Sequence, residues 1–272
     1  MPELPEVETI KNALIPRVSG VTIKSADVLW AKAVRAMPAA MFMQRVSGET
    51  VQAIRRRGKY LLFDLVSGKI LGIHLKMTGV LLLNSASEIE NKYTTAVFYL
   101  GNEMTLHFID QRKFGSLWLA ESEGDIVGKL GPEPLEGMFG STILKEILSR
   151  HQIPSKAAIC DQHFIAGLGN MYSDEALFAA GIHPLRRSNA LADIEVNRLH
   201  DGIIEVLQRG IRHNGASINT YCLPDGTRGM AQTQFKVAHR IGEPCPVCGS
   251  AINRIKIRGR GSYFCPYCQP AC

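Results

Sequence analysis

The first three residues, Met1, Pro2 and Glu3, are of types that can together perform covalent chemistry. Methionine aminopeptidases remove Met1 when a small residue follows, and we expect Pro2 to become the amino terminus. A free N-terminal proline is a secondary amine that can attack a sugar carbon and pass to an iminium ion. Glu3 beside it can hold or deliver a proton. Because many chains begin with Met-Pro for no catalytic reason, this interpretation depends on the features that follow.

A second group of residues has the spacing of a metal site. Four of the seven cysteines follow the order C-x2-C, sixteen intervening residues, C-x2-C: Cys245, Cys248, Cys265 and Cys268. This spacing predicts a four-thiolate zinc site, and four thiolates leave no coordination position for water, so one structural zinc ion is expected. The alternative, a redox CxxC, needs a helix-opening position, whereas CPVCG and CPYC are typical of the knuckles of a zinc ribbon. Cys160, Cys222 and Cys272 remain outside the motif.

The distribution of charge favours an anionic partner such as nucleic acid. The net charge is +6, from 31 basic and 25 acidic residues. One basic cluster is Arg55, Arg56, Arg57 and Lys59, and a second is Arg254, Lys256, Arg258 and Arg260, whose alternation places the charges on one face of a strand. A basic soluble protein without such a partner is the alternative. The chain has no apolar run near the roughly 20 residues of a membrane span and no signal-peptide pattern, so a soluble cytoplasmic protein is expected.

The elements that must position these residues give an α+β protein of several domains. Pro5 opens a helix that Pro16 should end, which places Pro2 and Glu3 just before its N-terminus. From Val51 to Leu119 short strands predict a β-sandwich with a flanking helix. We expect an N-terminal sandwich domain at 1–130, a helical domain at 131–222, a flexible loop at 223–237 and a β-hairpin zinc ribbon at 238–272.

Six motifs in order, together with the four cysteines, carry a resemblance to a known family: PELPEVETI, RRRGKY, HLKMTG, DQRKFG, LGPEPL and GLGNMYSDEALFAAGIHP. Along nearly its whole length the chain resembles the bacterial formamidopyrimidine-DNA glycosylases, which excise 8-oxoguanine. The resemblance implies a monomeric glycosylase and abasic-site lyase that acts on double-stranded DNA with oxidised purines or abasic sites. It also implies that the helical domain contains a helix–two-turn–helix motif.

The same resemblance implies catalytic roles for four residues. Pro2 corresponds to the nucleophile and Glu3 to the group that transfers protons around the sugar. Lys59 corresponds to a lysine that binds phosphate and assists elimination. Arg260, between two glycines near the tip of the ribbon hairpin, corresponds to an arginine that grips the lesion phosphate and contributes to the second elimination.

Several other residues are implied to contact DNA. Met77, on a turn, could pack in its loop or wedge into a base stack; the resemblance favours the wedge, acting with Arg112 and Phe114, and the arginine would read the estranged cytosine. His74, otherwise a satisfied strand histidine, corresponds to a phosphate contact. Asn170, in a glycine-rich turn before a helix capped by Ser173, corresponds to a contact with the lesion strand. Two further candidates for phosphate contact complete the set: Lys113, and Tyr93, where the family often has histidines.

Two alternative functions remain. Endonuclease VIII, the sister enzyme for oxidised pyrimidines, usually has glycine where this chain has Leu4 and lacks the Met77, Arg112 and Phe114 set, so purine lesions are favoured. A non-catalytic zinc protein that binds damaged DNA would need neither Pro2 nor Glu3.

Overall fold

The computed structural model describes residues 1–85 and 91–271. The chain divides into two compact units. The first contains Met1–Lys129 together with His213–Gln232, and the second contains Leu130–Arg212 together with Thr233–Cys272. The domain boundaries expected from the sequence at 130, 222 and 237 stay predictions. Among the helices of the described ranges, none is long and apolar enough to cross a membrane.

The first unit is the predicted β-sandwich. Two four-stranded antiparallel sheets have the strand orders β1-β6-β7-β5 and β2-β3-β4-β8. The core contains large apolar side chains from both sheets, including Phe63, Phe98 and Phe108. The strands are β1 (Ile23–Val28), β2 (Val51–Arg57), β3 (Tyr60–Leu65), β4 (Ile70–His74), β5 (Gly79–Ser85), β6 (Thr94–Leu100), β7 (Met104–Asp110) and β8 (Ser116–Ala120).

The α-helices in the described residues of this unit are α1 (Leu4–Val18), α2 (Ala39–Val46) and the short α3 (Gly124–Val127). The expectation that Pro16 ends α1 is wrong, because the helix continues to Val18. Proline removes one backbone donor, and in the last turn that loss is small against the burial of Leu14 and Val18 in the core. Pro5 lies in the first turn, where a missing N–H is tolerated.

The second unit is helical and ends in a hairpin. Its helices are α4 (Ser141–Ser149), α5 (Ser155–Ile159), α6 (Asn170–Ala180) and α7 (Asp193–Arg212), and its strands are β9 (Asn253–Ile257) and β10 (Arg260–Phe264). Helices α6 and α7 pack closely at Gly202, where an added Cβ would lie 3.0 Å from the carbonyl oxygen of Ala176. The motif LGPEPL at the start of this unit is packed, since the Gly131 N–H donates to the Gln162 carbonyl and Glu133 is buried.

Candidate active site and nucleic-acid interface

The N-terminal residues are fixed at the start of α1. Pro2 and Glu3 are buried, whereas the Met1 side chain is 44% exposed. The fully buried carboxylate of Glu6 accepts the backbone N–H of Glu3 at 2.7 Å and that of Ala216 at 2.8 Å. One carboxylate therefore holds both the helix N-terminus and residues 213–232 in place, and a rigid support is what a reacting amine needs. This role of Glu6 was not predicted from the sequence.

Lys59 lies in the two-residue turn that joins β2 to β3, and only 4% of it is exposed. Gly58 before it has φ of +56°, a left-handed conformation that glycine adopts at no steric cost. Helix α1 packs against both strands. A hydrogen bond from β2 also holds the turn: Arg56 Nη1 donates to the Gly58 carbonyl at 3.1 Å. Lys59 is thus a buried cation on a fixed turn.

The basic run that contains Lys59 is largely paired with carboxylates. Arg55 forms a bidentate contact with Asp64 at 2.6 and 2.8 Å and a further contact with Glu123 at 2.7 Å. Hydrogen bonds that Arg55 donates to these carboxylates, that to Asp64 first, raise the pKa of Arg55 further above its usual range. Arg56 pairs with Glu8 at 2.8 Å. Arg55 and Arg56 are therefore paired with carboxylates of the same chain, which the sequence alone did not reveal.

His74 ends β4 opposite Tyr60 on β3, and its ring packs edge-on against the tyrosine at 4.4 Å. Burial, with the positive charges of Lys76 and Lys59, lowers the pKa of His74 to about 3. Nδ1 accepts the backbone N–H of Lys76 at 2.9 Å, so the neutral ring carries its proton on Nε2. The imidazole can therefore donate one hydrogen bond without carrying charge.

Met77, Arg112 and Phe114 form one exposed cluster. Met77 lies on the turn between β4 and β5 and is 44% exposed, and Phe114 is 48% exposed. The Arg112 Nη1 lies 3.2 Å from the sulfur of Met77, and its guanidinium stands 4.8 Å over the Phe114 ring. Met77 is therefore not packed inside its loop. A flexible thioether, an aromatic ring and a planar cation side by side can fill a gap in a base stack.

Asp110, at the end of β7, organises this cluster and was missed in the sequence. Its carboxylate is fully buried and accepts the Thr78 hydroxyl, the Arg112 N–H at 3.2 Å and the Gly115 N–H at 2.6 Å. It thereby joins the turn that bears Met77 to the loop that bears Arg112 and Phe114. Glycine at 115 leaves room for this arrangement, since a Cβ there would lie 2.3 Å from the Phe108 ring and would force that buried side chain to shift.

Lys113 lies in the same loop, between Arg112 and Phe114, and Tyr93 contacts the end of β7 just before it. Lys113 has φ of +56°, and its Nζ lies 4.3 Å over the ring of Trp30, a residue that the sequence analysis did not select. The Tyr93 carbonyl accepts the Asp110 N–H at 2.9 Å, and the Lys92 Nζ lies 5.1 Å over the Tyr93 ring. Phosphate contacts by Lys113 and Tyr93 stay predictions.

In the second unit, Asn170 is the first residue of α6 and Gly169 is the N-cap. The expectation that Ser173 caps this helix is wrong: Ser173 is buried inside it, and its Oγ accepts the Cys160 thiol at 3.1 Å. Asn170 Nδ2 donates to the Gly261 carbonyl of the hairpin at 2.9 Å. Oδ1 of Asn170 is buried and has no hydrogen-bond partner within the described part of the chain.

Arg260 is exposed and begins β10 after the two-residue turn Arg258–Gly259. Both turn residues have positive φ, 45° and 81°, as in the type I′ turns of tight hairpins. Because Gly261 accepts the Asn170 amide, the structure brings together the hairpin bearing Arg260 and the start of α6.

A buried ion pair that the sequence analysis missed supports this junction. Lys156 and Asp174 are almost fully buried, and the Lys156 ammonium donates to the Asp174 carboxylate and to the Asn170 carbonyl, each at 2.5 Å. Burial raises the pKa of Asp174, and the adjacent ammonium opposes that rise. The pair therefore holds α5 against the first turn of α6, where Asn170 lies.

The four motif cysteines fit one zinc ion. The sulfurs of Cys245, Cys248, Cys265 and Cys268 all lie within 4.8 Å of one another. Two of the separations are 3.9 Å, for Cys245 and Cys268, and 3.4 Å, for Cys248 and Cys265. Tetrahedral Zn–S bonds of about 2.3 Å place sulfurs about 3.8 Å apart. Of the other cysteines, Cys160 is buried and Cys222 is partly buried, while Cys272 lies outside the described residues.

Comparisons with known proteins cover the whole chain. Residues 1–117 match the formamidopyrimidine-DNA glycosylase N-terminal domain, 130–222 match the H2TH domain of the same enzymes, and 242–271 match the zinc finger found in FPG and IleRS. A formamidopyrimidine-DNA glycosylase of Desulforamulus reducens is 42% identical over 276 residues, covering 100% of both chains.

Solved structures agree with the sequence relatives. A complex of Lactococcus lactis Fpg with DNA containing an abasic site has a TM-score of 0.93 at 36% identity, covering 99% of this chain and 100% of that one. A complex of the same organism's Fpg with DNA containing Fapy-dG has a TM-score of 0.92 at 35% identity, with the same coverage. The chain belongs to the formamidopyrimidine-DNA glycosylase family.

Proposed function

We propose that this protein is a DNA glycosylase and abasic-site lyase that excises oxidised purines, 8-oxoguanine and formamidopyrimidines, from double-stranded DNA. The observation that supports it most is the buried Pro2–Glu3 pair held by Glu6 at the start of α1, in a chain of this family. Relatives crystallised with Fapy-dG and abasic-site DNA support the class of substrate. The protein is proposed to act as a monomer in the cytoplasm.

The first step is covalent. With Met1 removed, the Pro2 nitrogen attacks C1′ of the damaged nucleotide, and the bond between C1′ and the base breaks with its electron pair leaving on the base. The base takes up a proton, and the proline nitrogen gives up its own. The C1′–O4′ bond then breaks with its electron pair going to O4′, which takes up a proton, and the nitrogen and C1′ become an iminium ion. Glu3 moves protons around the opening sugar.

Strand cleavage follows from the iminium. Loss of a proton from C2′ breaks the C3′–O bond. Loss of a proton from C4′ in a second elimination then breaks the C5′–O bond, so each phosphate leaves with its electron pair. Water then hydrolyses the remaining Schiff base and releases Pro2, leaving a one-nucleotide gap. We assign assistance in these eliminations to Lys59, and to Arg260 in the second.

The nucleotide must leave the duplex first, and flipping costs a few kcal/mol. Met77, Arg112 and Phe114 offset that cost by filling the gap, with the guanidinium facing the cytosine opposite. Four further side chains hold the DNA backbone: His74, Tyr93, Lys113 and Asn170. When bound to the four cysteines, zinc supplies the cross-link that folds the ribbon bearing Arg260.

The test is cleavage of three labelled duplexes, with 8-oxoguanine opposite cytosine, an oxidised pyrimidine, or no lesion. We expect rapid cleavage of the first, with phosphate on both ends of a one-nucleotide gap. Preferential cleavage of the pyrimidine lesion would favour the endonuclease VIII activity. Tight binding of the lesion without any cleavage would favour the non-catalytic DNA-binding protein.

A further inference from the structure

Arg56 connects the helix that bears Pro2 to the turn that bears Lys59. Its Nε donates to the Glu8 carboxylate of α1 at 2.8 Å, and its Nη1 donates to the Gly58 carbonyl at 3.1 Å. The side chain is 8% exposed, and that of Glu8 is 19% exposed. Glu8 also accepts the Lys11 ammonium at 2.5 Å. One guanidinium therefore bonds simultaneously to α1 and to the residue before Lys59.

Arg55, the preceding residue of β2, shows what is particular to Arg56. Adjacent strand residues point to opposite faces, and the contacts of Arg55 go to Asp64 on β3 and to Glu123. Its side chain is 44% exposed. Arg55 thus forms ion pairs of similar length from the same strand, and these pairs reach neither α1 nor the turn carbonyl.

We propose that Arg56 is a positioning residue, which fixes the Lys59 turn relative to the N-terminus of α1 so that the lysine and the Pro2 amine meet the same sugar. The inference rests on the proposed glycosylase and lyase function. It adds a chain of hydrogen bonds, from Glu8 through Arg56 to Gly58. This chain connects the helix that follows Pro2, the proposed nucleophile at C1′, to the turn that bears Lys59, the group proposed to assist the eliminations.

The chemistry of the link favours arginine at this position. The guanidinium is planar, so its donors to Glu8 and to Gly58 keep a fixed angle, whereas a lysine ammonium on a flexible stem cannot hold both. Burial opposes the ionisation of Glu8, but hydrogen bonds from Lys11 and Arg56 keep the pKa of Glu8 below its usual range. The Glu8 carboxylate therefore stays charged at neutral pH and remains paired with Arg56.

The experiment compares Arg56→Gln with the matched control Arg55→Gln. Single-turnover cleavage of an abasic-site duplex, the rate of borohydride trapping and the dissociation constant for the same duplex are measured. Misplacement of a reacting group by about 1 Å costs about a hundredfold in rate, so we expect Arg56→Gln to slow both reactions by roughly ten- to a hundredfold. Loss of exposed ion pairs has a small effect, so Arg55→Gln should stay within roughly threefold of wild type.

The other readouts separate positioning from a general loss of structure. DNA affinity and zinc content should be unchanged in Arg56→Gln, and Glu8→Gln should slow trapping similarly. The double variant should be no slower than the slower single one, because both substitutions break one link. Should Arg56→Gln unfold, Arg56→Lys retains a cation near Glu8 and is still expected to slow trapping.

Two outcomes contradict different claims. Wild-type rates in Arg56→Gln, or equal losses in Arg55→Gln, would overturn the positioning role while leaving the glycosylase function intact. A wild-type protein that neither cleaves the duplex nor becomes trapped would instead overturn the proposed function itself.

Discussion

Replacing Asp110 with alanine should loosen the loops that carry Met77, Arg112 and Phe114, the side chains that we propose fill the gap in the duplex. The carboxylate accepts the Thr78 hydroxyl and the backbone N–H groups of Arg112 and Gly115, and it is fully buried. An alanine side chain at this position has no oxygen, so these donors would lose the acceptor that they share. The turn that bears Met77 and the loop that bears Arg112 would then lose the group that joins them.

The expected loss of stability follows from the three hydrogen bonds that the Asp110 carboxylate accepts. A buried donor left without an acceptor costs about 1–3 kcal/mol. The Gly115 bond is fully buried, whereas the Arg112 bond is part-buried and the Arg112 N–H also donates to the Thr78 hydroxyl oxygen at 3.2 Å. We therefore expect the free energy of unfolding to fall by roughly 2–5 kcal/mol in Asp110→Ala. Asp110→Asn keeps one acceptor oxygen but turns an NH2 toward a donor, so it should lie between Asp110→Ala and wild type.

Urea unfolding measures the loss of stability, and binding to an abasic-site duplex measures the effect of the loosened loops on DNA binding. The matched control is Asp27→Ala, because the Asp27 carboxylate also accepts a hydrogen bond, from Tyr99 at 2.9 Å, but at an exposed site. Its effect on stability should stay within about 0.5 kcal/mol. If Asp110→Ala lost no more stability than Asp27→Ala and bound the duplex as wild type does, the organising role of Asp110 would be refuted.

Three further predictions concern other parts of the molecule. As the pH is lowered from 7 to 5, His74 becomes protonated in the unfolded chain, where its pKa is the ordinary 6.5, while the folded ring stays neutral down to about pH 3. The free energy of unfolding should therefore fall by about 2 kcal/mol from this group over that range. Urea unfolding of His74→Gln should lack that part of the pH dependence. Gly229→Ala would place a Cβ 2.1 Å from the Asn214 carbonyl, so hydrogen exchange in residues 213–232 should accelerate, whereas Gly137→Ala, with open space around it, should not change it. Cys248→Ser should lower zinc content and DNA affinity together, as measured by metal analysis and duplex titration.

Much of the sandwich could be predicted because its strands follow simple patterns. The runs VQAIRRR, TTAVFYL, MTLHFID and SLWLA coincide with β2, β6, β7 and β8. The cysteine spacing predicted the zinc ribbon for a similar reason, since the four cysteines, like the residues of one strand, lie close together in the sequence. Strand β1 was missed because a register shift between Ile23 and Ser25 breaks the alternation of inward and outward residues.

The parts that could not be predicted depend on contacts between distant residues. The pairing of Arg56 with Glu8 spans 48 positions, and a basic run in the sequence does not reveal which arginines find a carboxylate in the fold. Ser173 is of a residue type that often caps helices, but α6 begins at Asn170, three residues earlier, and Ser173 lies buried inside the helix. The role of Asp110 likewise becomes visible only when the Met77 turn lies beside it.

The most direct test of the central claim is borohydride trapping on a duplex with 8-oxoguanine opposite cytosine, followed by mapping of the attached residue. The matched control is the same chain with Met1 retained, in which the Pro2 nitrogen is an amide and cannot attack. We predict a covalent protein–DNA adduct at Pro2 in the processed protein and none at Pro2 in the control. A processed, zinc-loaded protein that bound this duplex and formed no adduct, or formed one at another residue, would contradict the account.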